Sequence, residues 1–147
     1  MDTFLTSITI LLIISATILL PSTSAISVLP YHHVHIKNQL SNPKATLLVH
    51  CKSKDDDLGV QNIMVNNEFQ WRFKRSFIIK DTLYWCYLAP STSNQHADFE
   101  AYDDALHERE VGNNLYWKAK DDGVYLSTLR NDGTFQDFLW HPWISGK

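Results

Sequence analysis

The clearest structural signal in the chain is the segment Leu115-Tyr116-Trp117-Lys118-Ala119-Lys120-Asp121-Asp122-Gly123-Val124-Tyr125-Leu126-Ser127-Thr128. Its centre, Asp121-Asp122-Gly123, is a turn sequence typical of tight hairpins, because Asp and Gly tolerate the backbone conformations that such turns require. Apolar and polar residues alternate on either side of the turn, as they do in strands with one buried face. The segment therefore predicts a β-hairpin.

Further alternating segments recur along the rest of the chain, about 8–12 residues apart. The segment at 82–88 is apolar on both faces, so we expect it in the middle of a sheet. No window of a dozen residues has a convincing helical period. We predict an all-β fold, a small single-domain β-sandwich of about eight short, mostly antiparallel strands. The other segments lie at 34–36, 45–52, 60–65, 69–73, 97–102 and around 138–140.

Residues 1–25 predict a cleaved secretory signal peptide. Residues 8–20 are dense in apolar side chains, and Thr23 and Ala25 are small residues at the two positions that a signal peptidase reads. An uncleaved membrane anchor is the alternative, but a bilayer span takes about 20 apolar residues, and this run is shorter and contains Ser and Thr. We therefore expect residues 26–147 to form a secreted, extracellular domain with no membrane insertion of the mature chain.

The charge of the domain restricts its partners. The whole chain has 13 Lys and Arg against 16 Asp and Glu, a formal net charge of −3, and loss of Asp2 with the signal peptide leaves −2. A nearly neutral domain is a poor match for nucleic acid or for an anionic lipid surface as main partner. We expect neither.

The two cysteines of the chain, Cys51 and Cys86, both lie on predicted core strands. In a secretory compartment two thiols are more often paired than free. Cys51 and Cys86 are 35 residues apart in sequence. A disulfide that closes a loop of this length would stabilise the fold by about 3–4 kcal/mol in the chain-entropy model. Two buried free thiols are the alternative.

Candidate catalytic and metal-binding groups are present, but their spacing matches no known motif. His33 and His35 share one strand face, which indicates a solvated polar surface more than a metal site, and a weak calcium site at the Asp triplet is an alternative to a solvated turn. No nucleophile elbow or phosphate-binding glycine loop occurs. We predict no catalytic residue, no metal and no cofactor. Paired carboxylates recur at Asp55-Asp56-Asp57, Asp98/Glu100, Asp103-Asp104 and Glu108/Glu110.

The aromatic residues are expected to build the core. Trp71, Trp85 and Trp117 each lie on an alternating or wholly apolar segment. Burial of such rings contributes several kcal/mol, roughly 3–5 when a ring is truncated to Ala. We predict that all three are core residues and not platforms for a ligand.

One polar string, His50-Cys51-Lys52-Ser53-Lys54-Asp55-Asp56-Asp57-Leu58-Gly59, resembles the signature of the plant self-incompatibility S-protein homologues. The resemblance extends over nearly the whole mature domain. Family members usually have two more cysteines before the Tyr-Trp strand, where residues 108–115 contain none; the even count that remains favours pairing of Cys51 with Cys86. Matching stretches follow in the expected order at 34–38, 69–73, 82–86, 99–103, 116–125 and Trp140.

The resemblance implies a small secreted β-sandwich, in a family whose best-known members are stigma-side determinants that reject self pollen through a pollen receptor. We therefore expect a non-enzymatic ligand for cell–cell signalling that binds a plasma-membrane receptor protein through surface loops. An extracellular hydrolase or carbohydrate-binding module is the alternative; exposed Trp or Tyr beside a carboxylate-lined cleft would favour it. The candidate recognition residues are Ser91, Asn94 and Gln95, then Asp104, His107, Glu108 and Arg109, then Arg130 and Asp132.

Overall fold

A computed structural model describes residues 30–74, 82–104 and 113–146, so the predicted signal peptide lies outside the described residues. The described ranges contain ten strands, slightly more than the eight expected. They are β1 (Tyr31–Asn38), β2 (Thr46–Lys52), β3 (Asp57–Met64), β4 (Glu68–Lys74), β5 (Tyr84–Pro90), β6 (Gln95–Tyr102), β7 (Asn114–Lys120), β8 (Gly123–Leu129), β9 (Phe135–Pro142) and β10 (Ile144–Ser145).

The strands form two five-stranded sheets. The first sheet has the order β4-β1-β7-β8-β9, and the second has the order β10-β6-β5-β2-β3. Among the described pairs only β1 and β7 are parallel, and the others are antiparallel. The predicted all-β class and the predicted hairpin between β7 and β8 are confirmed. The central placement of 82–88 is also confirmed, because β5 is the middle strand of its sheet.

The core lies between the two sheets and is built by the alternation of each strand. In β2, Leu47, Val49 and Cys51 are fully buried, whereas the residues between them are half-buried. Removing a large side chain from such a core costs about 2–5 kcal/mol. The fully buried apolar side chains from both sheets include Val34, Ile36, Leu47, Val49, Cys51, Cys86, Leu88, Ala97, Ala101, Trp117, Ala119 and Val124.

Two buried polar contacts hold the sheets to each other. The Nε1–H of Trp117 on β7 donates a hydrogen bond to the carbonyl of Ala101 on β6 at 2.9 Å. The Nδ2–H of Asn38, a fully buried residue at the end of β1, donates to the carbonyl of Ile63 on β3 at 2.9 Å. These bonds fix the two sheets relative to each other at two separate points.

The prediction that three tryptophans are core residues is correct for one and wrong for another. Trp117 is fully buried, and Trp71 is half-buried on β4 and packs against the core. Trp85 is 36% exposed. Successive residues of a strand point to opposite faces of the sheet. Because Tyr84 and Cys86 face the core, Trp85 lies on the outer side of the second sheet.

Candidate functional site

The connection between β2 and β3 is held by its own polar side chains. Oδ1 of Asp57 lies 2.7 Å from Nε2 of His50 and accepts the backbone N–H of Gly59 at 2.9 Å. The Gly59 N–H and the His50 ring hold the pKa of Asp57 below its ordinary value. Gly59 has a φ of 72°, which glycine adopts at little cost. Ser53 Oγ accepts the backbone N–H of Asp56 at 3.0 Å. Much of the polar string therefore shapes this turn.

A disulfide lies directly behind the turn. Cys51 of β2 and Cys86 of β5 are opposite each other in the antiparallel register, with Cα atoms 4.1 Å apart and sulfurs bonded. Both side chains are fully buried. The bond therefore fastens β2, which leads into the turn, to β5, the middle strand of the sheet.

A cleft of about 870 Å³ lies at the end of the sandwich where β2, β4 and β6 end and where β3 and β5 begin. We call this the cleft end. Its charged lining consists of five carboxylates and two lysines, a formal net charge of −3. A surface with this excess of carboxylates attracts cationic groups. The charged lining residues are Lys54, Asp55, Asp56, Lys74, Glu100, Asp103 and Asp104.

Aromatic rings form the inner wall of the cleft. The ring of Phe73 lies 4.9 Å from that of Tyr84 and 4.6 Å from that of Tyr102, and the buried His32 ring stacks on Phe73 at 5.7 Å. Burial, followed by the charge of Asp56, raises the pKa of Tyr84 above its ordinary value. The phenol is therefore protonated at neutral pH and donates a hydrogen bond to Asp56 Oδ2 at 3.5 Å.

Two exposed aromatic residues stand beside the cleft on the outer side of β5. Trp85 also lines the cleft and is opposite Glu100 of β6 and Lys52 of β2 in the strand register. Tyr87 is 38% exposed and is opposite Asp98. Aromatic faces next to carboxylates can bind cations or sugar rings.

The first group of predicted recognition residues lies far from the cleft. Ser91 and Asn94 belong to the connection between β5 and β6, and Gln95 is the first residue of β6, at the opposite end of the sandwich. The Oγ of Ser91 accepts the backbone N–H of Thr46 at 2.9 Å, so this side chain ties the connection to the start of β2. The structure does not bring this group together with the other predicted loops.

Three further predicted residues, Asp104, Arg130 and Asp132, lie at the cleft end. Asp104 lines the cleft. Arg130 and Asp132 are in the turn from β8 to β9, and β8 is three places from β4 in the sheet order. The hydroxyl and then the backbone N–H of Thr134 hold the pKa of Asp132 below its ordinary value, so this carboxylate shapes its own turn. The predicted residues His107, Glu108 and Arg109 lie outside the described residues.

Sequence reasoning misses Tyr84 and Trp85 as residues of the site. It singles out the carboxylates of Asp55, Asp56 and Glu100 but does not bring them together, because their proximity depends on the order of strands in the sheet. A usable signal is present in the sequence: the acidic turn and the aromatic strand each adjoin one of the two cysteines.

The cleft combines carboxylates with aromatic rings. Across 30–74, 82–104 and 113–146, no group of three or more His, Cys, Asp or Glu residues is placed to hold a metal ion. No helix with the length and hydropathy that a membrane span requires occurs in the same residues. The cleft offers carboxylate acceptors and aromatic faces, which suit Lys and Arg side chains of a protein partner.

The chain is similar to a set of curated plant proteins. The family model described as plant self-incompatibility protein S1 matches residues 33–143. S-protein homolog 1 and S-protein homolog 74 of Arabidopsis thaliana are each 36% identical over 101 residues, which cover 69% of this chain and 64% of each relative. S-protein homolog 2 of the same plant is 37% identical over 116 residues, or 75% of this chain and 66% of the relative. This chain thus spans slightly less than two thirds of the length of these relatives.

A solved structure has the same fold. It is described as that of self-incompatibility protein homologue proteins, "a widespread family of small, highly stable, secreted proteins from plants". Its TM-score is 0.61 at 21% sequence identity, over 80% of this chain and 97% of the other. The family model covers most of the described residues, and the relatives share more than a third of the aligned positions. This chain belongs to the plant self-incompatibility protein S1 family.

Proposed function

We propose that this chain is a secreted, non-enzymatic protein ligand that signals between plant cells, in the manner of self-incompatibility, by binding a plasma-membrane receptor protein. The observation that carries the proposal is the acidic, aromatic cleft at one end of a rigid sandwich. Secretion is supported by the description of the solved family structure, and by the sequence of residues 1–25.

The receptor segment that fits the cleft is basic. Five carboxylates face two lysines there, so Lys or Arg side chains of the receptor would gain charge-assisted hydrogen bonds. Asp55 and Asp56 project from a turn that Ser53 and the Asp57–His50 pair already hold. A preformed turn loses little conformational freedom on binding, which favours affinity.

The non-enzymatic part of the proposal rests on how the polar groups are engaged. The Ser53 hydroxyl accepts the backbone N–H groups of Asp55 and Asp56, so its role is in the turn. The Tyr84 hydroxyl has a raised pKa and donates to Asp56, which suits a neutral hydrogen-bond donor more than a nucleophile.

Neutralising the cleft carboxylates tests the proposal. We expect Asp55→Asn/Asp56→Asn to weaken binding of the purified protein to plant plasma-membrane vesicles roughly tenfold, because Asn keeps the size and loses the charge. Asp121→Asn/Asp122→Asn is the matched control, since it also neutralises two adjacent aspartates in a turn, at the opposite end of the sandwich. Equal binding by parent and cleft variant, or a larger loss in the control, would contradict the proposal.

A second candidate is a carbohydrate-binding module that uses the cleft. The specific observation is that Trp85 is exposed and lines the cleft together with Glu100. If it is correct, Trp85→Ala removes binding to a neutral cell-wall oligosaccharide, whereas Trp140→Ala, which removes another exposed indole, does not. Turnover of the oligosaccharide that is lost on Glu100→Gln would instead indicate a hydrolase.

A further inference from the structure

Basic residues are concentrated on the outer side of the first sheet. Among the described residues there are nine Lys and Arg and 12 Asp and Glu. Strand register and alternation place five of the nine bases and only two of the 12 acids on this side, for a formal net charge of +3. We call this surface the basic face; its charged residues are Lys37, Glu68, Arg72, Lys74, Lys118, Lys120 and Asp137.

The opposite side of the sandwich has the opposite sign. On the outer side of the second sheet, the acids Asp57, Asp98 and Glu100 accompany one base, Lys52, so the formal net charge is −2. The acidic cleft adjoins that side. The chain is therefore nearly neutral in total, although the outer side of its first sheet is positive and the outer side of its second sheet is negative.

Three cations of the basic face, Lys118, Lys120 and Arg72, contact other side chains of the protein before any partner binds. Asp137 Oδ1 accepts a hydrogen bond from Lys118 Nζ at 2.9 Å, and its Oδ2 lies 2.7 Å from Lys120 Nζ. The guanidinium of Arg72 lies 4.8 Å from the ring centre of Tyr31, which is 41% exposed. Binding usually costs free energy because long side chains lose conformational freedom. These side chains are already ordered in the free protein, so they lose less freedom when a partner binds.

We propose that the basic face binds an acidic polysaccharide, a polymer of uronate sugars. Charge complementarity selects a polyanion, because the face has an excess of three positive charges on a protein that is negative overall. Five strands spaced about 4.8 Å apart give a surface about 19 Å wide, which suits an extended chain lying across the strands. The exposed rings of Tyr31 and Phe135 stand among the cations and can pack against sugar rings.

This site differs from the proposed receptor site, since it lies on the outer side of the first sheet and uses charges of the opposite sign; of the named charged residues, only Lys74 belongs to both. A polymer bound across β1, β7 and β8 leaves the carboxylates of the cleft accessible, because they belong to the β2–β3 connection, to β6 and to the residues that follow β6. Polysaccharide binding and receptor binding can therefore succeed or fail independently in experiments.

Binding to immobilised polygalacturonate tests this proposal, with methyl-esterified polygalacturonate as the uncharged form of the same polymer. We expect Lys37→Gln/Arg72→Gln to weaken binding roughly fivefold to tenfold. The matched control, Lys44→Gln/Arg130→Gln, removes two cations elsewhere and should change binding less than twofold. Gln70→Lys adds a cation between Glu68 and Arg72 on the same face and should tighten binding.

Four results would overturn the proposal. They are equal binding to the esterified polymer, a larger loss in the control than in the face variant, binding to phosphatidylserine vesicles without binding to polygalacturonate, and salt-dependent self-association that the face variant abolishes. The last result would mean that the basic face pairs with the acidic side of a second copy. Weaker binding of polygalacturonate by Lys37→Gln/Arg72→Gln, together with tighter binding by Gln70→Lys, supports the polysaccharide proposal.

Discussion

The indole nitrogen of Trp117 donates its hydrogen bond across the core to the backbone carbonyl of Ala101, 2.9 Å away. The two residues belong to different sheets, and both are fully buried. The ring of Trp117 also meets Phe99 edge to face at 4.8 Å. This residue therefore contributes both apolar packing and a polar bond to the contact between the sheets.

We expect Trp117→Phe to lower the free energy of unfolding by about 2–4 kcal/mol, because it leaves a cavity and a buried carbonyl without its donor. Urea unfolding followed by far-UV circular dichroism measures this change. Trp140→Phe is the control, since Trp140 is 45% exposed, and should cost less than about 1 kcal/mol. Equal losses in the two variants would mean that the Trp117 bond contributes little.

Removal of the disulfide should destabilise the domain without changing its fold. Cys51→Ala/Cys86→Ala opens a cross-link between residues 35 apart in sequence, and loss of such a cross-link costs about 2–4 kcal/mol. Guanidinium chloride unfolding of the parent and the variant checks this. An unchanged denaturant midpoint would show that the pairing of β2 with β5 keeps the domain as stable without the disulfide as with it.

Acid should weaken one ion-pair network on the first sheet. Burial by itself would raise the pKa of Asp137, but hydrogen bonds from Lys118 and Lys120 outweigh that effect and hold the pKa at about 2. Because the folded-state pKa lies below the unfolded one, the network stabilises the fold above pH 4 and is lost as the pH falls towards about 2.

Asp137→Asn removes this contribution. We expect it to lower the free energy of unfolding by about 1 kcal/mol at pH 7, since solvent screens part of the interaction. The difference in free energy of unfolding between parent and variant should disappear between about pH 4 and pH 2, because the parent then also loses the negative charge of Asp137. A difference in free energy of unfolding that stays constant over this pH range would show that Asp137 acts by packing alone.

The mature chain is expected to begin at Ile26. This prediction rests on the apolar run before Pro21 and on the small residues Thr23 and Ala25. Amino-terminal sequencing of protein secreted by plant cells gives a direct answer. Recovery of a chain that still starts at Met1 would instead indicate a membrane anchor.

Much of the fold follows from local patterns in the sequence. Alternation over 45–52 predicts β2 with Leu47 and Val49 inward, and Asp121-Asp122-Gly123 predicts the β7–β8 turn. β10 has only two residues, too few for a period of two to be visible. The parallel pairing of β1 with β7 joins segments about 80 residues apart, and no local pattern specifies it.

The site is harder to predict because it depends on which strands are neighbours. Apolar residues on both faces of 82–88 predict burial of both, yet Trp85 and Tyr87 are exposed because they lie on the outer side of the sheet. Asp56 and Glu100 belong to separate acidic clusters in the sequence, and they share a cleft because β5 lies between β2 and β6. Such proximity is a property of topology, not of composition.

The central claim, that the cleft end contacts a receptor, is tested most directly by photocrosslinking from a defined position. A benzophenone amino acid replaces Lys54, which lines the cleft, or Thr92, which is exposed at the opposite end. We predict that illumination on intact plant cells joins the position-54 protein to one membrane protein, that excess parent protein prevents this adduct, and that position 92 gives none. An adduct from position 92, or an adduct at 54 that excess parent protein does not prevent, would contradict the claim.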